Sequence, residues 1–152
     1  WSNRLTAIKA DFLEYAASTP HRYDLIVSNP PYFTEDTLSP DTNRANARNA
    51  TALPLKSLIE GCKRLLTPNG SLCIITPYSS RNTFAQIVTD TLLHINGCLI
   101  VKGTPTVAPS RIIWHISPLQ KQVQFKHLVI ELSRGVYTPE YTRLTREFYL
   151  KM

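Results

Sequence analysis

A short apolar run that stops at two consecutive prolines constrains this chain most. Tyr23-Asp24-Leu25-Ile26-Val27-Ser28 is followed directly by Asn29-Pro30-Pro31-Tyr32. The run is too short for a helix and has no regular polar face. It predicts a strand buried in a parallel sheet, with its carboxyl end at the prolines. Proline lacks a backbone N–H and fixes φ, so the ladder cannot pass through it.

Strand and helix patterns alternate on both sides of this run. Residues 4–8 read as a short strand. Residues 11–17 read as a short helix with Leu13 and Ala16 or Ala17 inward, broken by Thr19-Pro20-His21. Residues 34–52 are polar and without period, which predicts a long loop. Pro54 suits the first turn of a helix, and Leu55, Leu58, Ile59, Cys62, Leu65 and Leu66 follow at helical spacing. Pro68-Asn69-Gly70 is expected to end that helix, and residues 71–76 to form a second buried strand. Residues 79–93 read as a helix with Phe84, Ile87, Val88, Thr91 and Leu92 on one face. Residues 99–101, 112–116 and 125–132 read as strands. Residues 139–150 read as a terminal helix with Tyr141, Leu144 and Phe148 on its apolar side. The order implies an α/β fold with a mostly parallel sheet, and the late strands joined without a helix imply an antiparallel edge.

Charge and cysteine usage narrow the class. The net charge of +6 favours a polyanionic partner such as nucleic acid. Cys62, Cys73 and Cys98 form no C-x-x-C pair, so buried reduced thiols are expected, as in a cytoplasmic protein. No metal site is expected, since His21, His94, His115 and His127 have no ligand spacing. No apolar run approaches the roughly 20 residues of a membrane span, and no signal peptide is visible. The chain opens on Trp1 rather than Met, which suggests further sequence upstream.

In an open α/β sheet, ligands bind beyond the carboxyl ends of the strands. Asn29-Pro30-Pro31-Tyr32 is expected at such an end. The tetrapeptide suits an adenine amine, whose lone pair is delocalised into the ring. Two acceptors aimed at its two N–H groups would pyramidalise the nitrogen and stabilise the charge developing there. The Asn29 side-chain carbonyl can supply one and the Pro30 backbone carbonyl the other. Pro30 and Pro31 fix the backbone, and Tyr32 offers a stacking face. The plainer alternative is a rigid turn that ends a strand. Asp11 could accept from a cofactor's adenine amine, with Phe12 offering its backbone N–H or its ring. Asp11 could equally cap the short helix. Arg44 and Arg48 lie four apart and could grip phosphates, or they could be a solvated loop. Lys126, Arg134, Arg143 and Arg146 are further basic candidates, read mostly as surface-solvating.

The segment Tyr23 to Phe33 resembles the catalytic motif of class I amino-methyltransferases. With residues 44–48, 72–77, the connector before Arg111 and the ending 141–152, it resembles the bacterial tRNA1(Val) adenine-N6 methyltransferases. The resemblance implies an α/β, Rossmann-like class I methyltransferase fold, a three-layer sandwich with S-adenosylmethionine across the carboxyl end of the sheet. It implies N6-methylation of the adenosine 3′ of the valine anticodon in tRNA, with the unpaired base swung into the pocket. Asn29 to Tyr32 would hold the base, Asp11, Phe12 and Asn29 would meet the cofactor, and Phe33, Arg44 and Arg48 would contact the nucleic acid. The family's glycine-rich loop has no counterpart among these five glycines. Residues 1–152 are therefore expected to be the C-terminal part of a single catalytic domain, truncated at its N-terminus, inactive alone and weak or incapable in cofactor binding. The motif strand is expected to keep an unpaired buried edge, with self-association or a misplaced N-terminal segment as the result. Two alternatives stand beside this reading. The same motif could act on DNA adenine or a protein glutamine amide, or the chain could be a non-catalytic RNA-binding module.

Overall fold

The computed structural model describes residues 3–31 and 54–149. Its centre is a five-stranded sheet in the order β1-β2-β4-β3-β5. These strands are β1 Tyr23–Ser28, β2 Leu66–Pro77, β3 His94–Lys102, β4 Arg111–Ser117 and β5 Gln124–Val129. β1 and β2 are parallel, β3 and β5 are parallel, and β4 runs antiparallel to both of its neighbours. Four strands thus point one way. The antiparallel strand expected at the edge lies inside, between β2 and β3. Sequential strands β3 and β4 pair as neighbours across the short connector 103–110, and β5 then adds outside β3. This leaves β4 between two strands that it opposes.

Helices cover one face. α1 (Phe12–Ser18), α2 (Leu55–Leu65) and α3 (Arg81–Asp90) are joined to the sheet by one core. α2 buries Leu58, Ile59, Cys62 and Leu65, the stripe that its spacing predicts. Alternation on β2 sends Leu72, Ile74 and Thr76 into this core. From β4 come Ile112, Trp114 and Ile116. The rings of Phe84 on α3 and Trp114 pack 5.0 Å apart at the centre. On the opposite face Cys73, Ile75, Ile113 and His115 are half-buried, and Leu25 and Val27 are 59% and 73% exposed. The three-layer sandwich implied by the resemblance is present among the described residues as two layers, sheet and helices.

Several local expectations are corrected. Residues 4–8 form no strand, and Leu5 and Ile8 are exposed. A strand needs a ladder partner, and no described strand runs beside them. β2 begins well before its predicted start at residue 71, because Pro68-Asn69-Gly70 is a bulge within the strand rather than a break. Tyr23 pairs with Leu66 and Leu25 with Ser71, so two steps on β1 match five on β2. Gly70 is required there, because a Cβ would stand 2.7 Å from the Tyr23 carbonyl oxygen. α3 follows a single 3-10 turn at Tyr78–Ser80 and ends at Asp90 rather than at 93. Leu92, at φ 59°, turns the chain sharply into β3. The predicted strand 125–132 splits into β5 and β6 (Glu131–Ser133), which forms a hairpin with β7 (Val136–Tyr137). The last helix, α4, is only Pro139–Thr145, capped by the Thr138 hydroxyl. Leu144 and Phe148, predicted to face inward, are 56% and 85% exposed. Phe148 lies beyond the end of this helix, and Leu144 within it faces solvent.

Candidate functional site at the carboxyl end of the sheet

β1 delivers its motif to the rim of the sheet. Ser28 is the last ladder residue and pairs with Ile74 of β2. Asn29 and Pro31 are exposed and Pro30 is half-buried. The chain therefore presents Asn29 to solvent at a strand tip stiffened by two prolines. That is the place where open α/β sheets hold ligands.

Two other predicted residues open α1. Asp11 is its N-cap, and one carboxylate oxygen accepts from the backbone N–H groups of Leu13 at 2.8 Å and Glu14 at 3.1 Å. The capping role is thus filled by that oxygen. Phe12 packs against the core, and its ring lies against Gly61 of α2. A Cβ on Gly61 would stand 2.6 Å from the ring edge. The ring is committed to packing. A hydroxyl hydrogen bond joins Tyr15 of α1 to Tyr23 at the start of β1. It lowers the Tyr15 pKa and raises that of Tyr23. Tyr32, Phe33, Arg44 and Arg48 lie outside the described residues.

The rim continues beyond the motif. β2 ends at Pro77, the Cα partner of Arg111 at the start of β4. The Tyr78 N–H donates to the Ser110 carbonyl at 3.1 Å, and the Ser110 N–H to the Val101 carbonyl at 2.9 Å. The Arg81 guanidinium lies 4.5 Å over the Tyr78 ring. Arg81, Arg111 and Lys102 therefore share the end of the sheet that holds Asn29. Sequence reading passed over this arrangement, although a signal was present. From residue 61 to 130 the only acidic residue is Asp90, against seven Lys and Arg.

The thiols are un-ionised at neutral pH. Burial pushes Cys62 up to about 11 and also raises Cys73 and Cys98. All three are free. Among the described residues no group of three or more His, Cys, Asp or Glu could hold a metal ion. A pocket of about 320 Å³, lined by Cys73, Gly97, His115, Lys121 and Lys126 among others, contains none of the predicted catalytic or cofactor residues. It marks the half-covered face of the sheet, and the His115 ring pairs there with the Ser71 hydroxyl at 3.0 Å.

Known proteins resemble this chain in sequence and in fold. Over its whole length the chain is 38% identical to the tRNA1(Val) (adenine(37)-N6)-methyltransferase of Flavobacterium johnsoniae and 36% identical to that of Aliivibrio fischeri. It spans 65% and 64% of those two proteins. Among solved structures, a predicted O-methyltransferase from Agrobacterium tumefaciens superposes on 95% of the chain, with a TM-score of 0.70 at 16% identity. The match covers 64% of that protein. A candidate DNA modification methylase from Thermus thermophilus, solved with S-adenosyl-L-methionine, superposes on 74% of this chain and 52% of its own, with a TM-score of 0.53 at 16% identity. At such identities the two structures establish the fold, a Rossmann-like class I methyltransferase sheet. The sequence match to the Eco57I restriction-modification methylases runs over residues 2–92, more than half of the chain, and the chain belongs to that family.

Proposed function

We propose that this chain holds the base-binding part of an S-adenosylmethionine-dependent methyltransferase that acts on N6 of an adenosine in the tRNA anticodon loop. One observation carries the reading: Asn29-Pro30-Pro31 stands at the carboxyl end of β1 with Asn29 exposed. The relatives' names agree with this substrate. S-adenosylmethionine supplies the methyl group. The chain's own residues orient the amine. The Asn29 side-chain carbonyl and the Pro30 backbone carbonyl accept from its two N–H groups, which localises the nitrogen lone pair and favours in-line attack. Tyr32 and Phe33 supply flat faces for the unpaired base, and Arg44 and Arg48 reach its flanking phosphates.

The described residues fit part of a cofactor site. Asp11 and the Phe12 N–H suit the cofactor's adenine, and Asn29 meets it from β1. The five glycines lie in α2, in the β2 bulge, in β3, in the connector after it and in the β6–β7 hairpin. None forms a strand-to-helix loop. This supports residues 1–152 as the C-terminal part of one catalytic domain, with weak cofactor binding by the 152-residue chain alone. A tRNA substrate places the reaction in the cytoplasm. Among the described residues no helix is long and apolar enough to cross a membrane.

The outer edge of β1 pairs with no described strand, and Leu25 and Val27 beside it are exposed. An open apolar edge of this kind supports self-association of the 152-residue chain through β1. Sedimentation should show a dimer or larger species that Leu25→Lys with Val27→Lys converts to monomer. A monodisperse monomer of the unaltered chain would count against it.

The substrate is tested with the full gene product that carries this chain, labelled S-adenosylmethionine, and tRNA, single-stranded DNA and protein acceptors side by side. Label on the adenosine 3′ of the valine anticodon is expected. Label on DNA adenine or a glutamine amide instead would replace the tRNA reading.

A further inference from the structure

Among the described residues, the carboxyl rim extends away from Asn29 across β2 and β4 and carries several cations. Seven cations and one anion fall between residues 61 and 130. Three of those cations, Arg81, Lys102 and Arg111, gather at the rim, because β2 and β3 end there and β4 begins there. The single anion, Asp90, closes α3 at its far end and accepts from the Gln86 amide at 2.8 Å. The next carboxylate along the chain, Glu131, accepts from the Gly135 N–H of its own hairpin at 3.3 Å. Arg81 is held by the Tyr78 ring and donates to the Tyr78 carbonyl at 3.3 Å. Arg111 donates to the Ser110 carbonyl at 2.9 Å.

Pre-positioning matters here. A guanidinium stacked on an aromatic ring keeps donors available in its own plane and loses less freedom when it meets a phosphate. Hydroxyls interleave the cations, at Ser79, Ser80, Thr104, Thr106 and Ser110. Neighbouring strands lie about 4.8 Å apart, so Arg111 on β4 is roughly 10 Å from the line of β1. That distance suits the phosphates next to a base held at Asn29. It does not suit the far arms of a folded RNA.

We propose that Arg81, Arg111 and Lys102 form a phosphate-contact track that holds the single-stranded RNA flanking the target adenosine. The proposal deepens the tRNA reading and rests on it for the identity of the strand. The track positions the polyanion and leaves base selection to the motif.

The test is fluorescence anisotropy of the 152-residue chain with a labelled anticodon stem-loop RNA, from about 50 to 200 mM salt. Each phosphate contact to a single strand contributes about 0.7 to the slope of log affinity against log salt. Arg81→Gln with Arg111→Gln should lower that slope by about 1.4. Arg81→Lys with Arg111→Lys keeps the charge and should restore most of it. Lys121→Gln with Lys126→Gln removes the same charge away from the rim and should leave the slope unaltered. Matching thermal melts exclude a folding defect. An unaltered slope in the Arg81/Arg111 glutamine variant, an equal fall in the Lys121/Lys126 control, or no measurable binding by the unaltered chain would overturn the track. The two readings fail separately. Methylation of DNA in place of tRNA, with a rim-dependent slope intact, sinks the substrate and spares the track. Methylation of tRNA with a slope indifferent to Arg81 and Arg111 does the reverse.

Discussion

Replacing Thr76 by valine keeps the shape of the side chain and removes one oxygen. That oxygen accepts from the Trp114 indole N–H at 2.9 Å, across the pair β2–β4. Thr76 is 1% exposed and Trp114 6%, so water cannot take over the bond. An indole N–H left unpaired in the core costs about 1–3 kcal/mol. The added methyl recovers part of this, up to about 0.8 kcal/mol. A net loss of about 1–2 kcal/mol is expected, which lowers Tm by roughly 2–8 °C in a chain of this size. Trp114→Phe removes the donor as well as core area, and Phe84 loses part of its ring contact. In a double-mutant cycle the two changes should couple by about 1 kcal/mol. Reversible urea unfolding of the two single variants and the double variant measures this. A Thr76→Val loss below about 0.3 kcal/mol, with no coupling to Trp114, would refute the argument that this bond stabilises the core below the rim.

Two further outcomes follow from close contacts and burial. Gly70→Ala drives a methyl into the Tyr23 carbonyl at 2.7 Å and against the Thr67 hydroxyl at 3.0 Å, where the main chain of β1 cannot yield. A loss of about 1–3 kcal/mol in urea unfolding is expected, the usual cost of overpacking. Burial holds the Cys62 thiol protonated up to about 11, whereas the unfolded chain ionises near the ordinary value of 9.0. Its contribution is fully present below pH 9 and lost as pH rises towards 11, by at most roughly 3 kcal/mol. The fall in stability between those pH values should be shallower in Cys62→Ala, and identical slopes would contradict this origin.

Local periodicity made much of the fold legible. α2 could be read because Leu58, Ile59, Cys62 and Leu65 recur on one face and Lys63 and Arg64 close the last turn. β1 could be read as a strand because an apolar run met two prolines, but not as the buried strand expected, since it lies at the edge of the described sheet with Leu25 and Val27 exposed. The position of β4 could not, since an interior strand and an edge strand have the same period, and pairing order depends on contacts distant in sequence. The bulge at Gly70 hid behind residues that usually mark breaks, because the approach of the Tyr23 carbonyl is a tertiary fact. Residues 4–8 alternate like a strand but find no ladder among the described residues. At the site, the end of the strand was legible from the prolines, and Asn29 stands exposed there. The two readings of Asp11 were both open in the sequence, and the structure fills the capping one. The rim of Arg81 and Arg111 needed the sheet order, because the two residues lie 30 positions apart.

Methyl transfer by the full gene product, with and without Asn29→Ala, asks most directly whether the strand tip does the chemistry. Asn29 is exposed and outside the core, and thermal melts of the variant separate a loss of chemistry from a loss of fold. Transfer to the anticodon-loop adenosine should fall by at least about 10²-fold, the scale of losing one positioned polar group. A variant that keeps near-full rate would contradict the account.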